Sequence, residues 1–180
     1  MTSGWRDLAA LDDHVWARLA RAVARSDDPW RIVTLGTLDA AGPQMRMVGL
    51  RGADREAASV EVHTDARTPK VDELRADSRA SLLLWDGGTQ EQLRLTLRME
   101  VIPADPIRWA AVPDVARGNY GTTPQPGTAL AEPEAYGRDP AIERFAALSG
   151  TIVAMDAVWL AGDPHRRAQW RDGTWGWVAP

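Results

Sequence analysis

The chain reads as an α+β fold: one N-terminal helix, then an antiparallel β-barrel, closed or half-closed, with short helices between strands. Three observations predict it. Turn signals recur at intervals of roughly 8–12 residues, the rhythm of an antiparallel barrel and not of a parallel α/β sheet. The stretch Gln90–Ile102 alternates strictly, with Leu93, Leu95, Leu97, Met99 and Val101 on one face and Gln92, Arg94, Thr96, Arg98 and Glu100 on the other. Finally, 180 residues with 44% hydrophobic content suffice for one domain with a core of its own.

Taken in order, Asp12–Ser26 has helical spacing, with Asp12 as N-cap and Val15, Trp16, Leu19 and Val23 on one stripe. Pro29 interrupts, and strands follow at Arg31–Leu38 and Gln44–Arg51, joined by the turn Asp39–Pro43. A turn at Gly52–Asp54 leads to a third strand, Ser59–Thr64, and then to a short helix, Thr68–Ala76. The strand Ser78–Trp85 meets Gln90–Ile102 through Asp86-Gly87-Gly88, a hairpin signal. Pro106 opens a helix over Ile107–Ala116, followed by a loop rich in Gly, Pro and Thr from Gly118 to Pro133. A short helix at Ile142–Ala147 precedes strands at Thr151–Leu160, His165–Trp170 and Thr174–Val178. With no internal repeat and no linker, the expectation is a single domain over 1–180. Its parts are an N-terminal helix (about 12–26), a barrel core (about 31–103), a helix and loop (about 106–148) and final strands (about 151–180).

The formal charge of −4 argues against nucleic acid or an anionic membrane as partner, since both require a basic surface. No apolar run reaches the length of a membrane span, and the first residues lack the basic and apolar regions of a signal peptide. The expected location is cytoplasmic. The absence of cysteine excludes disulfides, thiolate metal sites and a cysteine nucleophile. His14, His63 and His165 are too scattered for a metal site, and none is expected. Nine tryptophans against one phenylalanine and two tyrosines point to aromatic surface buried between subunits. Among 21 basic residues Lys70 is the sole lysine, a bias that coding composition accounts for without explaining the lysine's place.

That place is the most informative stretch of the chain, His63-Thr64-Asp65-Ala66-Arg67-Thr68-Pro69-Lys70. Thr68 before Pro69 specifies a helix start. A helix N-terminus carries partial positive charge and usually attracts Asp or Glu, yet Arg67 and Lys70 flank this one. A phosphate held by the N–H groups, the Thr68 hydroxyl, Arg67 and Lys70 would remove the conflict; the alternative is that both side chains swing into solvent. The strand Arg46-Met47-Val48-Gly49-Leu50-Arg51 carries a cation at each end, and Arg46 shares a face with Val48 and Leu50, so it either snorkels outward or meets an anion. Gln92 faces the same way as Arg94 and Arg98, a row that also reads as a solvated face.

In this order the pieces resemble the FMN-binding half of the pyridoxamine 5'-phosphate oxidase family over Arg31–Ile102. The family's pattern is Arg-x-Val-x-Leu-Lys/Arg, an aromatic-Thr pair, a Ser/Thr-x-Lys helix start and a later Gln. The matching residues are Arg46–Arg51, His63 and Thr64, Thr68 and Lys70, and Gln92. The resemblance implies an FMN-binding split β-barrel, antiparallel and Greek-key-like, with flanking helices. It implies that Arg46, Thr68 and Lys70 bind the flavin phosphate, with Arg67 standing in for an arginine the family often places beside the lysine. The backbone of Met47, Val48 and Gly49, with Thr64 and Gln92, would hold the isoalloxazine and its polar edge, and Arg51 and His63 are cofactor-binding as well. It further implies a homodimer with flavin at the interface, where Trp159 and Arg167 reach the partner's flavin.

The implied activity is an FMN-dependent oxidoreductase acting on a small molecule, the flavin supplying the redox chemistry. Split barrels of this kind also hold haem or the deazaflavin F420 without catalysis, and a third possibility is a barrel used for protein contact alone. Efficient pyridoxamine 5'-phosphate oxidation is not expected. That enzyme grips its substrate's phosphate with Tyr, Arg and Ser at four-residue spacing on one helix, where this chain offers Trp109, Pro113 and Arg117. Its tail presents Arg-x-His, where this chain reads His165-Arg166-Arg167.

Overall fold

The computed structural model describes residues 3–180. The chain runs α1 (Leu8–Ala24), β1 (Ile32–Asp39), β2 (Gly42–Asp54), β3 (Ser59–Asp65), α2 (Pro69–Ala76), β4 (Arg79–Asp86) and β5 (Glu91–Pro103). It continues with α3 (Pro106–Ala111), α4 (Asp114–Arg117), β6 (Thr122–Thr123), β7 (Gly137–Arg138), β8 (Phe145–Trp159), β9 (Arg166–Arg171) and β10 (Thr174–Val178). Six strands close an antiparallel barrel in the order β8-β3-β2-β1-β4-β5 and back to β8. Closure removes the exposed edges that an open sheet of this size would carry. No described helix is long and apolar enough to cross a membrane.

The fifteen-residue β8 organises the barrel. One edge pairs with β5 from Phe145's neighbour Ala146 through Trp159. The other edge is shared: β3 takes Phe145–Thr151 and β9 takes Ala154–Trp159. The β9–β10 hairpin thus leaves the barrel beside the start of β3. Alternation places Val33, Leu35, Val62, Leu82, Leu84, Leu93, Leu95 and Leu97 in the interior, each no more than 1% exposed.

The segment expected as a helix at Ile142–Ala147 is a 3-10 turn, Ile142–Arg144, followed directly by strand. Phe145, Ala146, Ala147 and Leu148 are all fully buried, covered by the barrel core on one face and by the Trp109–Tyr120 cluster on the other. A run buried on both faces loses the period-2 signature, so pattern alone does not separate it from a helix. The helix expected over Ile107–Ala116 is two short helices, because Val112 is extended and Pro113 cannot donate to the preceding turn.

Helix α1 starts four residues before the expected Asp12. Its N-cap is Asp7, whose carboxylate accepts from the Ala10 N–H at 2.8 Å. Asp12 lies inside the helix and instead accepts from Trp175 Nε1 at 2.8 Å. The helix packs on β2 and β10 and buries Arg18 along with its apolar stripe. Arg18 donates to Asp86 Oδ2 at 2.6 Å and to Glu91 Oε2, and its guanidinium lies 4.3 Å from the centre of the Trp30 ring. The tryptophans serve mostly to close this fold on itself. Trp5, Trp16, Trp30, Trp159 and Trp175 are buried within the one chain, and Trp5 stacks on Trp159 at 6.2 Å.

Candidate functional site

Helix α2 lies against β1 and β5 and buries Val71 and Leu74. This brings its first turn to the end of the barrel where β1 turns into β2. Arg46 shares the inward face with Val48 and Leu50, as the alternation required, and there it meets an anion from the protein itself. Its Nη2 lies 2.8 Å from Glu73 Oε2, and its Nη1 donates to the Thr37 hydroxyl. Thr37 in turn donates to the same Glu73 oxygen, closing a triangle. Thr37 is 3% exposed and the Glu73 side chain 9%, so the triangle is largely shielded from water.

Beside it runs a relay of hydrogen bonds. Lys70 Nζ donates to Thr64 Oγ1 at 3.0 Å, Thr64 and Thr68 hydroxyls are 3.1 Å apart, and Thr68 Oγ1 donates to the Asp65 carbonyl at 2.8 Å. Because the Thr68 proton goes to that carbonyl, its side chain does not cap α2. Lys70 uses one of three N–H donors in this relay, and among the described residues no carboxylate lies within ion-pair distance of it. Burial and the neighbouring positive charge of Arg46 push its pKa below the ordinary lysine value.

Arg67 departs from expectation. Its Nε and Nη2 bind Asp65 at 2.9 and 2.6 Å, and Nη2 also reaches the Thr122 carbonyl at 2.8 Å. It ties β6 to the start of α2, with Nε and Nη2 committed to Asp65 and the Thr122 carbonyl. The charge conflict at the head of α2 is therefore half resolved by Asp65, the residue just upstream. Only Lys70 stays unneutralised.

The remaining expected residues fall on other faces. Met47 and Gly49 point outward from β2, Met47 being 61% exposed. A side chain at Gly49 would come within 2.8 Å of the Arg51 guanidinium, which folds back over the glycine. Arg51 sits at the bulge between Leu50 and Gly52. It faces Tyr120, and the two cations Arg51 and Arg31 lie close enough to lower the Arg31 pKa, after burial. His63 is on the outward face of β3, with Nε2 2.8 Å from Glu61 Oε1 and its ring edge-on to Phe145 at 4.9 Å. Arg108 holds the other oxygen of Glu61 at 2.7 Å.

Gln92 stands opposite Trp85 and Val158, and Val158 stands opposite Arg167, so Gln92 and Arg167 share one face two strands apart. Arg167 is oriented there by Asp156, which it contacts at 3.0 and 2.8 Å and which also binds Arg94 and Gln169. Trp159 does not join them. One residue along β8 it points to the opposite side, 8% exposed and stacked on Trp5, because successive strand residues alternate faces.

Three residues in the cradle and its surroundings were not anticipated: Thr37, Glu73 and Tyr120. Glu73 follows Lys70 by three residues on a helix, which is a legible local pairing. Nothing local connects Thr37 or Tyr120 to the site. A cavity of about 690 Å³ borders the same helix and is lined by Arg67, Glu73, Asp39, Asp72 and Asp77, so that Glu73 belongs both to its wall and to the triangle.

Known structures of the same shape are numerous. A pyridoxamine 5'-phosphate oxidase-related, FMN-binding protein from Nostoc punctiforme PCC 73102 is 24% identical over 91% of this chain and 96% of its own, with a TM-score of 0.74. PhzG from Burkholderia lata 383, in complex with tetrahydrophenazine-1-carboxylic acid, is 20% identical over 93% of this chain and 91% of its own, with a TM-score of 0.73. General Stress Protein 26 from Bacillus anthracis str. Sterne is 12% identical over 80% and 93%, at a TM-score of 0.55. At such identities these likenesses establish the fold, a split barrel. No curated protein matches the chain. The family model for the pyridoxamine 5'-phosphate oxidase FMN-binding domain matches residues 13–103, from the second turn of α1 to the end of β5, and the chain belongs to that family.

Proposed function

We propose that this chain is an FMN-binding oxidoreductase acting on a small molecule, working as a homodimer. The observation that carries the reading is Lys70: a half-buried cation with unused donors and, among the described residues, no carboxylate partner, set beside Arg46 and the hydroxyls of Thr64 and Thr68. Burying a cation without an anion is costly, and a phosphate supplies both the charge and the acceptors. The residues present therefore fit the phosphate end of FMN, with Lys70, Arg46, Thr64 and Thr68 as its holders, while Arg67 is held toward Asp65 and Thr122. When bound, the flavin would supply electron transfer in one- or two-electron steps. The backbone of Met47–Gly49, together with Arg51, His63 and Gln92, would orient the ring and hydrogen-bond its polar edge.

The dimer reading rests on the outer face of the barrel. Ile32, Met45, Met47, Leu83, Trp85 and Val153 are 39–75% exposed on β1, β2, β4 and β8. A contiguous apolar face on closed strands is what a subunit interface covers. It lies beside Gln92 and Arg167, so a partner seated on it would place its Arg167 near the flavin. A chain without cysteine suits the reducing cytoplasm.

The test is the absorption spectrum of the purified protein, followed by mass analysis of the released cofactor. Two flavin bands and released FMN are expected. A haem-type Soret band, a released deazaflavin, or a colourless protein that ignores added FMN would overturn the reading.

A further inference from the structure

From the buried triangle of Arg46, Thr37 and Glu73, we infer that Glu73 is the positioning residue of the phosphate cradle: it holds the Arg46 guanidinium in place for the flavin phosphate. The inference rests on the FMN reading above and assigns a role to an acid that the phosphate chemistry alone would exclude. A carboxylate next to an anion site is unfavourable unless it does something there. Here it makes a specific structure. Glu73 Oε2 accepts from Arg46 Nη2 at 2.8 Å and from the Thr37 hydroxyl, which itself accepts from Arg46 Nη1. A guanidinium carries five donors in a rigid fork. Fixing two of its nitrogens by partners on different elements, β1 and α2, removes the rotational freedom of a four-torsion side chain. The other donors are left preorganised, so less entropy is lost when a phosphate arrives.

The triangle also divides the labour between the two cations. Glu73 neutralises Arg46 within the protein, so Arg46 offers geometry while Lys70, one helical turn before Glu73, offers net charge. If instead Glu73 merely occupied the phosphate's place, as an internal competitor, its removal would strengthen binding. Arg46 is already bonded through Thr37 as well as Glu73, which favours the positioning role: the acid is part of a three-way scaffold and not a lone stand-in for the ligand.

The experiment is a double-mutant cycle read by flavin-fluorescence titration, with FMN and riboflavin as probes. The variants are Glu73→Ala, Glu73→Gln, Arg46→Ala and Arg46→Ala/Glu73→Ala, with Lys70→Ala as the reference for the cradle. Glu73→Ala is expected to weaken FMN about tenfold while leaving riboflavin unchanged, and to have no further effect once Arg46 is alanine. Glu73→Gln, which keeps an acceptor for Thr37, should fall between wild type and Glu73→Ala. Tighter FMN binding by Glu73→Ala would overturn the inference in favour of competition. Equal weakening of FMN and riboflavin, or additivity with Arg46→Ala, would overturn it in favour of a general structural role. The two readings fail separately. If Lys70→Ala also leaves the preference for FMN over riboflavin intact, the cradle itself is misplaced and the inference falls with it. If Lys70→Ala abolishes that preference and Glu73→Ala does not change it, only the role of Glu73 is wrong.

Discussion

Replacing Arg18 with methionine should destabilise the protein by about 3 kcal/mol at neutral pH, because it strands two buried carboxylates. The side chains of Asp86 and Glu91 are 9% and 2% exposed, and Arg18, itself 4% exposed, is the strong cation that pairs with both. Removing one member of a buried ion cluster typically costs about 3–5 kcal/mol. The lower end applies here because other donors persist. Glu91 keeps Trp5 Nε1 at 2.6 Å, His14 Nε2 at 2.8 Å and the Thr89 hydroxyl at 3.1 Å; Asp86 keeps the N–H groups of Gly88 and Thr89. For a chain of this size about 3 kcal/mol corresponds to a fall in Tm of roughly 6–12 °C.

The loss should depend on pH in a defined direction. Burial pushes the Glu91 pKa up, but hydrogen bonds from His14 and Trp5 and the charge of Arg18 together bring it below its ordinary 4.5. A carboxyl with a lowered native pKa stabilises the fold fully above its unfolded value, and that contribution fades as pH falls through the native value. Without Arg18 the burial effect is opposed less, the native pKa rises, and Glu91 protonates at a higher pH. The deficit of Arg18→Met relative to wild type should therefore shrink as pH is lowered from 7 toward 4.5. Urea melts followed by tryptophan fluorescence at the two pH values measure it. A deficit below about 1 kcal/mol at pH 7, or one equal at both pH values, would show that the cluster does not work as an ion network.

Three further outcomes are expected. Lys70→Ala should weaken FMN by about 1.5–3 kcal/mol and riboflavin hardly at all, measured by fluorescence titration, since one charge-assisted contact to phosphate is lost; equal losses would put the phosphate elsewhere. Leu83→Glu, which sets a charge on the exposed apolar face, should convert a dimer to a monomer in light scattering and lower flavin retention; a wild-type protein that is monomeric at micromolar concentration with FMN bound would refute the interface. FMN-loaded protein given pyridoxamine 5'-phosphate and air should form pyridoxal 5'-phosphate orders of magnitude more slowly than an authentic oxidase. The chain breaks the helix at Val112 and Pro113, and Arg117 is engaged by Asp114 at 2.9 Å and lies over Trp109. Turnover near that of the authentic enzyme would show that the segment Gly118–Pro133 supplies the missing contacts.

Period and punctuation in the chain were enough to locate most strands of the barrel. The alternation from Leu93 to Val101, the Asp86-Gly87-Gly88 turn and the Thr68-Pro69 helix start are local features, and local sterics decide them. The expected inward face of Arg46 followed from the same alternation. The pattern failed where burial is two-sided, as at Phe145–Leu148, and where a cap lay upstream of the most obvious acid, as with Asp7 before Asp12.

Pairing over long separations belongs to the tertiary structure alone. No spacing brings Thr37 to Glu73, Arg18 to Glu91, or Trp5 to Trp159, because these contacts need α2 packed on β1, α1 against the start of β5 and the N-terminal segment against the end of β8. That packing also decided which charges are available. In the sequence Arg67 and Lys70 are equivalent cations at the head of one helix. In the fold Asp65 takes the first, while the second has no carboxylate partner among the described residues, and burial and the charge of Arg46 lower its pKa. Charge in a folded chain is counted after partners are assigned, and the partners are set by topology.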